Sequence, residues 1–231
     1  MTGRTTTPRE RYRQQVRAEV KEKAWEQIAG SGASALSLNA IAKQMGLSGP
    51  ALYRYFANRD ELITELVRDA YRDLADAFIA VANERGAGGA GGGGGGSEGV
   101  VALARALRHW ALRHPHRYFL VYGTPVPGYH APPEITAIAS EMMAVLLDAC
   151  AAATTGPAAG DAGARPLGEH LANHREWAAD RPDAPPATLR LALSFWTRLH
   201  GALSLELAGH FTGMGLDPAV LFAAEVDALT P

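Results

Sequence analysis

The 231-residue chain balances 22 Lys and Arg against 24 Asp and Glu, for a net charge of −2, with 47% hydrophobic residues and a mean hydropathy of −0.08. No stretch reaches 18 uninterrupted apolar residues, which argues against a membrane span, and a single cysteine, Cys150, excludes an internal disulfide framework. The opening MTGRTTTPRE is polar and lacks the apolar run of a signal peptide, so a cytoplasmic protein with residues 1–8 disordered is expected.

Helical periodicity dominates from there, and strand alternation is absent. A first helix is predicted from about Pro8 to Ala29, with Val16, Val20, Trp25 and Ile28 turned inward. Ser37 can cap a second helix that places Leu38, Ile41, Ala42 and Met45 at helical spacing. Gly46 stops that helix, because glycine takes the left-handed conformation at a helix end at almost no cost, and Leu47 can then pack inward. Ser48 starts a third helix, with Gly49 and Pro50 in a first turn where a missing N–H is tolerated. Leu52 and Phe56, four apart, face the core, while Tyr53 and Arg54 point away with Tyr55 beside them. Asn58 caps the next helix, with Asp60 and Glu61 in its first turn, and Asn58 and Glu61 have the spacing of a capping box.

That helix carries Leu62, Ile63, Leu66, Val67, Ala70, Leu74, Phe78 and Val81 on one face and should reach about Asn83, roughly 38 Å at about 1.5 Å per residue. Residues 86–99, GAGGAGGGGGGSEG, read as a flexible loop; no Gly-Lys-Ser/Thr end follows and neither flank is a strand, so a phosphate-binding loop is not read here. Helices are then expected over residues 100–113, over His114 to Tyr122 and, after a proline-rich loop, from Pro133 to about Ala153. Cys150 there reads as a small buried hydrophobe. An irregular stretch, 154–187, holds one or two amphipathic turns around Leu167 to Trp177, and helices close the chain from Ala187 to Phe211 and, capped by Asp217, from Pro218 to Leu229.

A helix, turn and helix with small residues at the second helix's N-terminus suits entry into the major groove, about 12 Å wide, although such hairpins also occur in ordinary cores. Charge supports the DNA reading. Through Leu62 the bases Arg4, Arg9, Arg11, Arg13, Arg17, Lys21, Lys23, Lys43, Arg54 and Arg59 exceed the acids Glu10, Glu19, Glu22, Glu26, Asp60 and Glu61 by four. The remainder carries −6, so a second nucleic-acid surface of the simple electrostatic kind is not expected there.

The wording of residues 37–62 closely resembles the DNA-binding domain of the tetracycline repressor (TetR) family. The matching residues are Ser37, Ile41 with Ala42, Gly46-Leu47-Ser48, Leu52-Tyr53-Arg54-Tyr55-Phe56, and Arg59 with Asp60, Arg standing where Lys is more usual. The resemblance spans roughly residues 10 to 70. It implies phosphate contacts from Ser37, Ser48, Tyr55 and Arg59, and base contacts from Gly49, Pro50, Tyr53 and Arg54. Lys43, on the solvent side of the second helix, is a further candidate DNA contact, and Arg4 is a candidate for the minor groove.

The resulting expectation is an all-α chain: a three-helix DNA-binding helix-turn-helix domain over residues 1–60, then a larger helical ligand-binding and dimerisation domain over 61–231. The last two helices have apolar residues on more than one face, Leu189, Leu193, Trp196, Leu203 and Leu207 as well as Leu191, Phe195, Leu199 and Leu205, so a partner subunit would cover the excess. Trp196 to Gly201 resembles the Trp, His, Gly signature of one C-terminal class of the family, and a dimer implies a near-palindromic operator with half-sites about 34 Å apart. Candidates for a small-molecule pocket are Trp110, Tyr118, Phe119, Tyr122, Met142, Met143, Phe195, Trp196 and His200; a largely apolar effector fits them, though aromatic and Met residues at helical spacing also fill plain cores.

No metal and no cofactor is expected: His170 with His174, and His109, His114 and His116, lack an HExxH pattern or an obvious remaining ligand shell, and no catalytic constellation stands out. A repressor released by its effector is the leading reading, not an enzyme. A DNA-binding dimer without ligand control, and more distantly a helical enzyme or metal sensor, stay as alternatives.

Overall fold

The computed structural model describes residues 7–87, 96–154 and 165–229; the expectations for Arg4, for residues 1–6 and for the middles of the two Gly- and Ala-rich stretches lie outside them. Among the described residues all regular structure is helical, as expected. The helices are α1 (Pro8–Ser31), α2 (Leu38–Gln44), α3 (Gly49–Leu52), α4 (Arg59–Ala87), α5 (Glu98–Arg113), α6 (Pro115–Tyr122), α7 (Pro133–Ala153), α8 (Arg165–Asn173), α9 (Pro186–Leu207) and α10 (Pro218–Asp227).

Local chemistry sets the ends. Thr7 and Glu10 form a reciprocal capping box on α1, the Thr7 N–H donating to Glu10 at 2.7 Å and the Glu10 N–H to Thr7 at 3.2 Å. At the end of α2, Gly46 takes φ +65°, its N–H reaches Lys43 O, and the Leu47 N–H reaches Ala42 O at 2.9 Å. That pair of bonds is the Schellman arrangement, and it bends the chain into the turn before α3. The same arrangement closes α9 four residues short of the expected Phe211, because Gly209 at φ +76° lets the Gly209 and His210 N–H groups satisfy Glu206 O and Leu205 O. The glycine-rich loop is also trimmed at its described edges: Gly86 and Ala87 end α4, while Glu98 and Gly99 begin α5. Gly99 is buried beside Ala149, whose Cβ would stand 3.3 Å from any Cβ added there, so the missing side chain lets α5 and α7 approach.

The chain forms two compact units. One holds the chain through Ala70 together with His116–Pro132; the other holds Tyr71–Pro115 and the chain from Pro133 on. In the first, Val16, Val20, Ala24 and Ile28 of α1 are buried with Leu38, Ile41, Leu52, Phe56, Leu62, Ile63 and Leu66. Ala24, not Trp25, occupies the inward position, and Trp25 is half-buried with the Arg117 guanidinium 5.4 Å from its ring centre. In the second unit α5, α7 and α9 pack together, with α8 and α10 against α9. Phe78 and Phe195 meet edge to face at 6.5 Å, and the buried Thr188 hydroxyl is satisfied by Thr154 at 2.9 Å.

Helix α7 has the length and mean hydropathy, 1.6, to cross a membrane, which the count of uninterrupted apolar residues did not bring out. It is also the packing partner of α5 and α9, and Glu134, Glu141 and Asp148, seven apart, put carboxylates on one exposed face. Glu141 pairs with Arg72 at 2.8 Å and Asp148 with Arg181 at 2.6 Å, an arrangement suited to a core helix with one wet side. Cys150 on its other side is fully buried, and burial pushes its thiol up to about 12.

Candidate nucleic-acid interface

The turn from Ser37 to Phe56 builds one exposed face on a sealed floor. Ser37 accepts from the Ala40 N–H and Ser48 from the Ala51 N–H, both at 3.3 Å, so each serine caps its helix as its spacing predicted. Helix α3 is a single turn; a tighter turn continues it, with the Tyr55 and Phe56 N–H groups reaching Leu52 O at 2.8 and 3.2 Å. Leu52 and Phe56 are buried below. Above them Ser48, Pro50, Tyr53 and Arg54 are exposed, Tyr53 to 44%, while Gly49 and Tyr55 are half-buried. Lys43 is exposed on α2. The structure therefore gathers Ser48, Gly49, Pro50, Tyr53, Arg54 and Tyr55 along α3 and the turn after it, and leaves Ser37 and Lys43 on α2.

Arg59 stands apart from that group. Its guanidinium donates to Ala33 O at 2.8 Å, Ser34 O at 3.3 Å and Leu36 O at 3.2 Å, strapping the 3-10 turn at Ala33–Ala35 that leads into α2. The Gln27 side chain completes the strap by accepting the Ser37 N–H at 3.0 Å. Asn58 accepts from the Glu61 N–H at 2.8 Å, but Glu61 answers with the Ala57 N–H at 2.6 Å rather than that of Asn58, so the capping box at α4 is displaced by one residue. Several of the counted bases are likewise engaged within the unit: Lys21 pairs with Asp69 at 2.6 Å and Lys23 with Glu26 at 2.7 Å. Among the described residues, the exposed side chains of Arg11, Lys43 and Arg54 have no ion-pair partner. Sequence reading missed Gln27 and the internal engagement of Arg59, because a single spacing pattern does not tell which carbonyl a long side chain meets.

Residues 22–66 match the family model described as bacterial regulatory proteins, tetR family, and residues 100–229 match the tetracyclin repressor-like C-terminal domain. The chain is 38% identical over 225 residues to the HTH-type transcriptional regulator Rv1816 of Mycobacterium tuberculosis, covering 94% of this chain and 92% of that protein. This chain belongs to the TetR family of transcriptional regulators. Among solved structures, the regulatory protein SCO4313 is 61% identical, with 96% and 98% of the two chains covered and a TM-score of 0.80. A Rhodococcus sp. RHA1 protein of unknown function shares the fold at 20% identity and a TM-score of 0.64, with 93% of each chain covered. The family places the helix-turn-helix as its DNA-binding part and makes this chain a regulator of transcription.

The expected pocket residues of this TetR-family chain fall in both units. In the first, the Tyr118 ring lies 5.6 Å from that of Phe119 and 5.4 Å from that of Tyr122, and burial pushes the Tyr118 phenol up to about 12. Phe119 also lines a cavity of about 440 Å³ together with Ile28, Gly32, His116 and Val126. In the second unit Trp110, Met142 and Phe195 are buried and Met143 is half-buried. Trp196 and His200 touch, their ring centres 4.4 Å apart, and burial pushes the His200 imidazole down to about 4. Among the described residues no cluster of three metal-ligating side chains occurs; His170 and His174 stack, and His174 is tied to His170 O at 2.9 Å.

Proposed function

We propose that the chain is a repressor that binds a near-palindromic operator as a homodimer and is released by a small, largely apolar molecule. The observation that carries the DNA part is the open rim of α3, where Ser48, Gly49, Pro50, Tyr53 and Arg54 project from a floor made by Leu52 and Phe56. In this reading Ser37, Ser48 and Tyr55 hold phosphates, Tyr53 and Arg54 read base edges beside Gly49 and Pro50, and Lys43 adds a backbone contact. Arg59 keeps its strap and acts by holding α2 in place.

Leu205, Met214, Leu216 and Val220 are exposed on and between α9 and α10, at 45%, 66%, 39% and 64%, which supports a partner subunit on that face. The Trp196 and His200 contact suits the Trp, His, Gly class, with Gly201 exposed one residue on. Effector control rests on the second unit, where Trp110 Nε1 and His200 Nε2 are sealed from solvent and the His200 ring lies against that of Trp196, flat apolar surface with polar tips of the kind small-molecule sites use. An effector that binds best where the two recognition turns are wrongly spaced would lower DNA affinity by the same coupling factor. The protein would act in the cytoplasm, on duplex DNA.

The test is selection of duplexes from a random pool by the purified chain, followed by titration at several salt concentrations. A two-fold symmetric site bound by a dimer supports the reading. Equal affinity for every duplex would overturn it, and a panel of apolar compounds that leaves the complex intact would remove the effector.

A further inference from the structure

Helix α1 presents Arg13, Arg17 and Lys21 at intervals of four, and α4 presents Glu61, Glu65 and Asp69 at the same interval, so each helix carries a stripe of one sign. The stripes face each other. Arg17 lies 3.5 Å from Glu61 and 3.6 Å from Glu65, and Lys21 lies 3.9 Å from Glu65 and 2.6 Å from Asp69. The α1 stripe also reaches the turn that follows α3: Arg13 donates to Arg54 O at 3.4 Å, and Arg17 donates to Tyr55 O while its guanidinium stands 4.1 Å over the Phe56 ring. One guanidinium thus joins the recognition turn to α1 and α4.

We infer that Arg17 is a positioning residue for sequence recognition, holding the turn that carries Tyr53 and Arg54 in register with α4. This rests on the DNA-reading role proposed above for that turn. The last carbonyls of a helix have no partner within it, and one as short as α3 leaves its exit direction to whatever captures them. Tyr55 O lies in the tighter turn that continues α3, and the Arg17 fork captures it there while the ring of Phe56, buried below, fixes the approach. Tyr53 and Arg54 precede that carbonyl directly, so the direction of their side chains follows from it. The same fork is shared with Glu61 and Glu65, so α4 cannot slide along its axis without loosening its hold on the turn. Arginine suits this because its planar fork presents several donors at fixed angles and a flat face for the ring, whereas a lysine ammonium is one point. Because Arg17 is neutralised by two carboxylates, it adds little to the field that phosphates feel. It influences which bases are read rather than how strongly the backbone is held.

The test uses full-length dimer, a duplex selected in vitro by the wild-type chain, and a scrambled duplex of equal length and composition. Arg17→Gln should weaken binding to the selected duplex at least tenfold, leave binding to the scrambled duplex unchanged and leave the slope of log K against log salt unchanged. Arg17→Lys keeps the charge and should fail to restore specificity. A slope smaller by about 2, one phosphate per subunit, would make Arg17 a direct phosphate contact and overturn the inference. Equal loss on both duplexes with a lowered melting temperature would make it purely structural, and full restoration by Arg17→Lys would reduce it to a charge. If the wild-type chain selects no duplex, the DNA reading fails before any variant is measured.

Discussion

Tyr53 offers the sharpest test of the recognition face. Tyr53 is 44% exposed on the rim of α3 and outside the core, so Tyr53→Ala should lower stability by about 1 kcal/mol, or roughly 2–4 °C in melting temperature, and leave the fold intact. A base contact of this kind is worth about 1–3 kcal/mol, and a symmetric dimer loses it in both half-sites, so the operator complex should lose about 2–6 kcal/mol. At the lower bound that is roughly a 30-fold rise in Kd, measured by fluorescence anisotropy on the selected duplex. The salt slope should stay constant, because no charge is lost. Lys43→Gln is the contrast: it should reduce the slope by about 2 across the dimer and weaken selected and scrambled duplexes alike. An unchanged footprint and Kd for folded Tyr53→Ala would refute the assignment of Tyr53 to base reading.

Gly46→Ala places a Cβ at φ +65° in open space, so the cost is conformational alone, about 1–2 kcal/mol, and calorimetry should show melting lowered by roughly 2–8 °C. Leu205→Glu charges an exposed leucine on α9 and should leave a folded chain whose mass by light scattering is that of the monomer; a persistent dimer would place the interface elsewhere. The His200 imidazole is held down at about 4 against 6.5 when free, so the unfolded chain binds the extra proton first. Stability from this group is therefore fully present above about pH 6.5 and falls as pH drops toward 4, by about 3 kcal/mol in all. Denaturant titrations at pH 7 and pH 4.5 should show that His200→Phe loses less stability on acidification than the wild type.

Most of the helical layout was decided locally, and so was legible. Caps at Ser37, Ser48 and Asp217, the stop at Gly46 and the run of apolar residues along α4 act within a few residues of themselves, and a sequence states such interactions directly; the equally local Thr7 cap fell within residues 1–8, which were expected to be disordered. The family match extended that reading to DNA, since a stretch matched in order over residues 37–62 is hard to meet without the function. Where local signals conflicted, the local cap at Gly209 ended α9 before its apolar pattern did, while packing put Ala24 rather than Trp25 in the core, because a four-residue stripe from Val16 to Ile28 meets α1's neighbours. Only the tertiary structure could say what the long charged side chains do. Arg17 and Arg59 count equally with Lys43 and Arg54 toward the basic charge of the N-terminal end, yet the first two reach carbonyls and carboxylates 23 to 48 residues away while the last two face outward. The sequence by itself determined the order and approximate extent of the helices and, through the family match, the helix-turn-helix as the DNA-binding part. Which cations were left on the surface was decided by how α4 meets α1 and the turn after it, because a flexible side chain takes its partner from space and not from the order of the chain.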